Sequence, residues 1–223
     1  MASIDNALTT LARAKSHLDI TGSSKDIVLT LIILAASKYI ENGYCRRKFK
    51  HQTFTQEVYD GRGSARLWLK NKPLVPGSSV VLQYRTSTQN EDSWTTIDAS
   101  AYFINYAGGY LEFQRGYVDP NLGMTTKFFE GVQNYRVTYT SGYYLPSESQ
   151  YQDGTDDDLD LPYELELVVL DIVSEMYADR QHSGVASEQV GDVKITYEQS
   201  ASEAAEEPRN KNILDRYRIL GYQ

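Results

Sequence analysis

The sequence predicts a mixed α+β protein, a bundle of three to four helices carrying an inserted antiparallel β-sandwich or barrel module. Apolar residues recur at helical spacing near both ends of the chain, as at Leu165, Val168 and Ile172. The middle is rich in Tyr, Thr and Val with frequent Gly breaks, which is typical of strands and turns. Because helical patterns flank this segment, we predict a helical unit of residues 1–48 and 161–223, a β-module of 49–144 and an acidic linker of 145–160.

Two helices are predicted before the β-module. The first spans 4–18, where one stripe at helical spacing contains Ile4, Leu8, Leu11 and Leu18. The second spans about 24–42, with Ser23 as its N-cap and Gly43 as its C-cap. It is apolar on nearly every side, so we expect it to be central in the bundle. Its most apolar run, 27–36, is about half the ~20 residues that cross a bilayer, so we interpret it as a buried helix.

Strand composition begins at about residue 49 and continues to about residue 141. The turn dipeptides 60–61 (DG) and 108–109 (GG) separate short runs of β-branched and aromatic residues. The predicted strands are 53–59, 66–70, 79–85, 94–97, 102–105, 110–114 and 134–140.

The C-terminal part returns to helical patterning. Residues 145–160 are polar and acidic, and Pro162 stands where a first-turn proline fits a helix that runs to about Arg180. We predict a loop over 182–189, a short strand from alternating residues over 193–197, and a last amphipathic helix. The apolar positions of that helix are Ile213, Leu214, Tyr217 and Leu220.

Charge and cysteine content exclude some classes of protein. The chain has 22 Lys and Arg against 30 Asp and Glu, a formal net charge of −8, whereas sequence-specific nucleic-acid binders usually present a basic face. This balance remains compatible with a surface past which DNA slides. With Cys45 as the only cysteine, no intrachain disulfide can form, which suits a reducing compartment.

No motif predicts catalysis, a cofactor or a metal. His17, His51 and His182 lie in different elements without metal-ligand spacing, and the aspartate run 153–160 lacks the EF-hand pattern. Cys45 precedes a basic cluster that could lower its thiol pKa, but we interpret it as structural. We therefore predict no enzyme activity, while a hydrolase that uses a carboxylate pair brought together by the fold stays open as an alternative.

Two further features indicate interaction surfaces. The 18 tyrosines, many of them in the β-module, suit protein interfaces and also sugar-binding faces. A carbohydrate- or host-surface-binding module, with Trp68 or Trp94 on its face, is therefore the alternative function. The basic residues Arg46, Arg47 and Lys48 stand out in an acidic chain, and we expect them to pair with an acidic surface of a neighbouring copy.

Phrases spread along nearly the whole chain resemble the head–tail connector (adaptor or head-completion) proteins of tailed double-stranded DNA phages. As in that family, a first helical phrase (11–20) is followed by an apolar helix that ends in basic residues (31–48). The resembling phrases are 11–20 (LARAKSHLDI), 59–61 (YDG), 67–69 (LWL), 136–143 (RVTYTSGY), 161–165 (LPYEL), 187–191 (SEQVG), 194–197 (KITY) and 213–218 (ILDRYR).

The resemblance implies a structural virion protein that is assembled in the host cytoplasm. Its copies would form a homo-oligomeric ring, most often a dodecamer, between the portal and the stopper or tail. DNA would pass through the ring without sequence-specific binding, and no membrane would be involved. In that family the C-terminal segment reaches toward the portal. On this chain it is 208–223, with candidate portal contacts at Arg216, Tyr217, Arg218 and Tyr222.

Overall fold

The chain folds as a mixed α+β protein, which confirms the predicted class. The structure, a computed structural model, describes residues 6–86, 93–114, 116, 118–119, 123–124, 127–152, 159–181, 187–190, 193–196, 205 and 207–219. The helices are α1 (Leu11–His17), α2 (Asp26–Lys38), a π-helix that continues α2 (Tyr39–Tyr44), a 3-10 turn (Ala99–Ala101), α3 (Tyr163–Gln181) and α4 (Pro208–Tyr217). The strands are β1 (Gln52–Gly61), β2 (Arg66–Trp68), β3 (Val81–Arg85), β4 (Trp94–Thr96), β5 (Tyr102–Asn105), β6 (Tyr110–Phe113), β7 (Val118–Asp119), β8 (Gly123–Met124), β9 (Gly131–Ser141), β10 (Ser187–Val190) and β11 (Val193–Thr196).

Contacts between residues divide the chain into two compact units. One comprises Met1–Phe49 together with Tyr144–Tyr222, and the other contains Lys50–Tyr143. We call these the helical unit and the β-module. The β-module therefore begins and ends within one residue of the predicted limits, 49 and 144.

In the helical unit, α2 packs against α1 and α3, and α4 packs against α3. The buried side chains that join these helices include Leu8, Leu29, Ile33, Val169, Ile172 and Leu214. Helix α1 begins at Leu11, so the prediction that it begins at residue 4 was wrong for the described residues 6–10. The Thr10 hydroxyl accepts a hydrogen bond from the Arg13 backbone N–H at 3.3 Å and caps the helix there.

Both predicted caps of the second helix were wrong. Lys25, not Ser23, occupies the N-cap, and it makes no side-chain capping bond. The first-turn carboxylate of Asp26 instead accepts a 2.7 Å bond from Lys15 Nζ. Gly43 lies inside the π-helix, whose turn is closed where Cys45 N–H donates to the Ile40 carbonyl at 2.8 Å.

Helix α2 is less buried than its composition predicted. Ile33 is fully buried, but Ile27 and Leu31 are 73% and 59% exposed. By length and composition, the 19-residue segment Asp26–Tyr44 also meets the requirements for a membrane span, with 33% of its most apolar window buried in the protein. The core helix of a soluble protein can meet the same requirements, so this segment alone is weak evidence for a membrane span.

The β-module contains two larger sheets, with strand orders β1-β9-β3-β4 and β2-β6-β5. Neither order closes on itself among the described strands, so a closed barrel is not found. All seven predicted strands of the module are present, together with the short β7–β8 hairpin that the sequence did not predict. Both sheets contribute to one core, whose members include Leu67, Leu82, Leu111, Phe113, Tyr135, Val137 and Tyr139.

The C-terminal elements differ from the prediction in two places. Residues 187–190 form β10 and pair with β11 in a hairpin, whereas we predicted a loop over 182–189. The predicted last helix is present as α4, which begins at Pro208, a residue that suits a first helical turn. The predicted linker is partly folded, since Leu145 is buried and Tyr144 N–H donates to the Leu159 carbonyl at 2.7 Å. The aspartates at 153 and 156–158 lie outside the described residues.

Candidate functional site

The basic cluster after α2 is held within its own subunit. Arg47 is 4% exposed, and its guanidinium carbon lies 4.9 Å from the centroid of the Phe49 ring. Lys48 Nζ lies 3.2 Å from Glu41 Oε2. Arg46 is exposed, with a backbone φ of 56°. Of the three predicted inter-subunit contacts, Arg46 is the one whose side chain is most available to another copy.

Glu41 explains why this turn is ordered. Its side chain is 3% exposed, and Oε2 also lies 3.0 Å from Lys38 Nζ. Its other oxygen, Oε1, accepts the Phe49 backbone N–H at 3.2 Å. A buried carboxylate requires compensating donors, and here two ammonium groups and one amide supply them. Glu41 therefore fixes the chain where it leaves the helical unit, a role that sequence patterning did not reveal.

The C-terminal candidates hold α4 against the rest of the helical unit. Arg216 Nη2 donates to Glu164 Oε2 at 2.7 Å, and the Tyr217 hydroxyl donates to Glu164 Oε1 at 2.8 Å. The Arg218 guanidinium lies 5.4 Å from the Tyr44 ring centroid. Tyr222 lies outside the described residues. As portal contacts these residues stay a prediction, and Arg216, whose side chain is 60% exposed, is the one with most surface available.

An exposed apolar stripe runs along α2. Ile27 and Leu31 are one helical turn apart, and Ala35 follows them on the same exposed side. Helix α3 exposes two further apolar side chains near its start, Tyr163 at 48% and Leu167 at 39%. Contiguous exposed apolar side chains mark surfaces that other proteins cover. We call Ile27, Leu31 and Ala35 the α2 stripe.

Several tyrosines of the β-module are buried in its core. Tyr135 and Tyr139 are almost fully buried, and Tyr59 is 8% exposed. Both the Tyr59 and Tyr139 hydroxyls donate to Glu57 Oε2, and burial together with the adjacent carboxylate raises the pKa of both phenols. These phenols act as buried hydrogen-bond donors.

The alternative of a sugar-binding face required exposed, coplanar aromatic rings. Trp68, which is 38% exposed, packs on Tyr110 with ring centroids 4.7 Å apart and an interplanar angle of 53°, so the pair is tilted. Two guanidiniums, those of Arg85 and Arg136, lie over the ring of Trp94. Neither tryptophan therefore forms the flat, open platform that sugar stacking requires.

No reactive centre emerges among the described residues. The structure brings together no metal-binding group of three or more His, Cys, Asp or Glu there. His17 Nε2 lies 4.0 Å from Asp171 Oδ1, which is an ordinary surface pair. Burial raises the pKa of the Cys45 thiol to about 12 despite the neighbouring Arg47, which supports its interpretation as a structural cysteine.

The described residues expose an apolar stripe on α2 and bring together no metal-binding group. Residues 8–69, which span α1, α2, the π-helix, β1 and β2, match the family described as phage gp6-like head-tail connector protein. The resemblance to phage head–tail connectors that the sequence indicated is therefore confirmed.

No curated protein matches the chain. Among solved structures, the chain is similar to a chain in the neck of an empty GTA particle computed with C6 symmetry. The TM-score is 0.50 at 13% identity, and the match covers 99% of this chain and 96% of that chain. At this identity the similarity demonstrates a shared fold over nearly the full length.

Proposed function

We propose that this protein is a structural component of the neck of a tailed phage or phage-like particle. Its copies form a ring, with twelve as the expected number, between the portal and the stopper or tail. The observation that carries the proposal is the connector-family match over 8–69. The fold shared with a neck chain from another particle supports the same location at the head–tail interface of the virion.

A closed ring requires two unlike surfaces on each copy. The α2 stripe supplies one apolar surface, since Ile27 and Leu31 are exposed in the single subunit. We propose that an adjacent copy covers it and that Arg46 contributes a charged contact to another copy. The C6 symmetry of the neck that holds the similar chain is compatible with rings of six or twelve copies.

The channel and partner assignments follow from charge and from the resemblance. A net charge of −8 opposes adhesion of DNA phosphates, so the genome could pass through the ring without being retained. Residues 208–223, including Arg216, Tyr217, Arg218 and Tyr222, are proposed to face the portal. Assembly in the host cytoplasm and a non-enzymatic role are parts of the same proposal.

Native mass spectrometry with negative-stain imaging of the same purified sample tests this proposal. A ring of about twelve copies with a central hole would support it. A tight two-fold dimer would contradict it, because an isologous pair covers the surface that a ring must leave open for the next copy.

A further inference from the structure

Two arginines and a tryptophan meet on the outer face of the four-stranded sheet of the β-module. Arg85 on β3 is directly opposite Trp94 on β4, and Arg136 lies on β9, the other neighbour of β3. Their guanidinium carbons lie 4.9 Å and 4.5 Å from the centroid of the indole ring. Because side chains alternate between the two faces of a sheet, these three lie opposite the core residues Leu82 and Tyr84.

No acidic side chain in the described part of the chain neutralises these two charges. Arg136 donates from Nε to Gln83 Oε1 at 2.6 Å and from Nη1 to Gln56 Oε1 at 3.2 Å, and both acceptors are neutral amides. Arg85 Nε is buried without a hydrogen-bond partner among the described residues. A buried N–H without an acceptor is costly, and a water molecule or a ligand would relieve that cost.

The chemistry of the site favours a peptide over a nucleic acid. Bases stack on open aromatic faces, whereas guanidinium groups already lie over Trp94. A planar guanidinium binds a carboxylate through paired N–H donors, and an acidic peptide offers such carboxylates at close spacing.

We propose that Arg85, Arg136 and Trp94 bind the acidic run of a second copy of this chain. That run contains aspartates at 153, 156, 157 and 158, the densest negative charge in the sequence. Charge complementarity selects this occupant, and the contact would join neighbouring copies. The choice of a second copy rests on the proposed ring, but the binding site can be tested without one.

The test is a titration of the full-length chain with a synthetic peptide of sequence 151–161. The receptor carries Asp→Asn at 153, 156, 157 and 158, so that its own run cannot compete, and Trp68→Phe, so that Trp94 reports alone. We expect saturable quenching or enhancement of fluorescence that weakens with salt. Arg85→Gln and Arg136→Gln should each weaken binding by about tenfold.

The matched control is Arg66→Gln, because Arg66 also lies over an aromatic ring, that of Tyr110, but already pairs with Glu112. It should leave peptide affinity unchanged. Undiminished binding by both Arg85 and Arg136 variants, or equal binding of a peptide with Asn for Asp, would overturn the inference. So would a single-stranded oligonucleotide that displaces the peptide at equal concentration. A wild-type chain that binds peptide but forms no ring would contradict the proposed function alone.

Discussion

Tyr217 and Glu164 join the last helix of the chain to the first turn of α3. The phenol hydroxyl donates to Glu164 Oε1 at 2.8 Å, and the Tyr217 ring meets Phe49 edge-on with centroids 6.0 Å apart. Tyr217 thus holds α4 against the first turn of α3 and against Phe49, the residue that follows the basic cluster 46–48. This arrangement makes the docking of α4 testable.

Tyr217→Phe should loosen α4 while leaving the rest of the fold intact. Loss of one hydrogen bond to a carboxylate costs about 1 kcal/mol, so backbone amides of α4 should exchange several-fold faster. Hydrogen–deuterium exchange measures this directly. Arg216→Ala is the control, because an exposed ion pair contributes little. Equal protection of α4 in wild type and Tyr217→Phe would contradict the role of this bond.

Leu31→Asp should prevent ring formation without unfolding the subunit. Leu31 is 59% exposed, so a charge there costs little in the monomer but is buried without a partner when another copy packs on the α2 stripe. Native mass spectrometry should show monomer in place of ring, with an unchanged thermal midpoint. Val132→Asp is the matched control, at a β-module side chain that is 79% exposed. If Leu31→Asp still forms the wild-type ring, the stripe is not a subunit contact.

Glu41→Ala should lower the free energy of unfolding by about 2 kcal/mol. The substitution removes the acceptor of the buried Phe49 amide and leaves Lys38 and Lys48 without their shared carboxylate. Urea titration at neutral pH measures the change. Glu112→Ala provides the comparison, because its pair with Arg66 is exposed and should contribute at most about 0.5 kcal/mol. Similar losses for both variants would count against the importance of the Glu41 cluster.

Cys45 should resist thiol reagents in the folded protein. Its pKa is raised to about 12 by burial, so the thiol stays protonated near neutral pH and is also shielded from the reagent. Labelling with an aromatic disulfide at about pH 8 should proceed only as fast as the protein opens, and denaturant should restore one reactive thiol per chain. Complete labelling of the native protein within seconds would refute this.

Alkaline pH should destabilise the β-module through Tyr59 and Tyr139. Both phenols have a pKa above the ordinary value of 10.0, because they are buried and hydrogen-bonded to Glu57. Below pH ~10 they are neutral in both the folded and the unfolded chain. Above it only the unfolded chain releases their protons, so stability falls as pH rises.

Urea titrations at pH ~9 and ~11 measure this loss, and Tyr59→Phe should reduce the difference between them because it removes one of the two protons. A Tyr110→Phe variant controls for the loss of an arbitrary tyrosine. The linkage would be wrong if Tyr59→Phe and Tyr110→Phe showed the same pH dependence as the wild type.

Local patterning was sufficient for most elements of the fold. The short strands bounded by Gly turns were predicted correctly, and so was α3 from its apolar stripe. In each case the residues that carry the pattern are close together in the sequence. The start of α1 was not, because Leu8 fits the same helical spacing as Leu11 although it packs from the segment before the helix. There its backbone N–H donates to Ser37 Oγ at 3.0 Å. Periodicity does not distinguish these two arrangements.

Long-range contacts explain what the sequence did not reveal. Composition predicted α2 to be buried on nearly every side, but a single subunit places α1 and α3 against part of it and leaves the α2 stripe exposed. The Arg85–Trp94–Arg136 site depends on the register of three strands, with Gln83 opposite Arg136 and Arg85 opposite Trp94. This register depends on which strands pair in the folded sheet, so a pattern of neighbouring residues in the sequence does not predict it.

The chain enters and leaves the β-module at adjacent positions. His51 N–H donates to the Tyr143 carbonyl at 2.7 Å, and Lys50 forms a parallel bridge with Tyr143. Because the two ends are neighbours, the module could lengthen, shorten or be exchanged during evolution without changing the separation between the residues it joins. A particle lineage could thus remodel one surface of its neck while it retains the same helical framework.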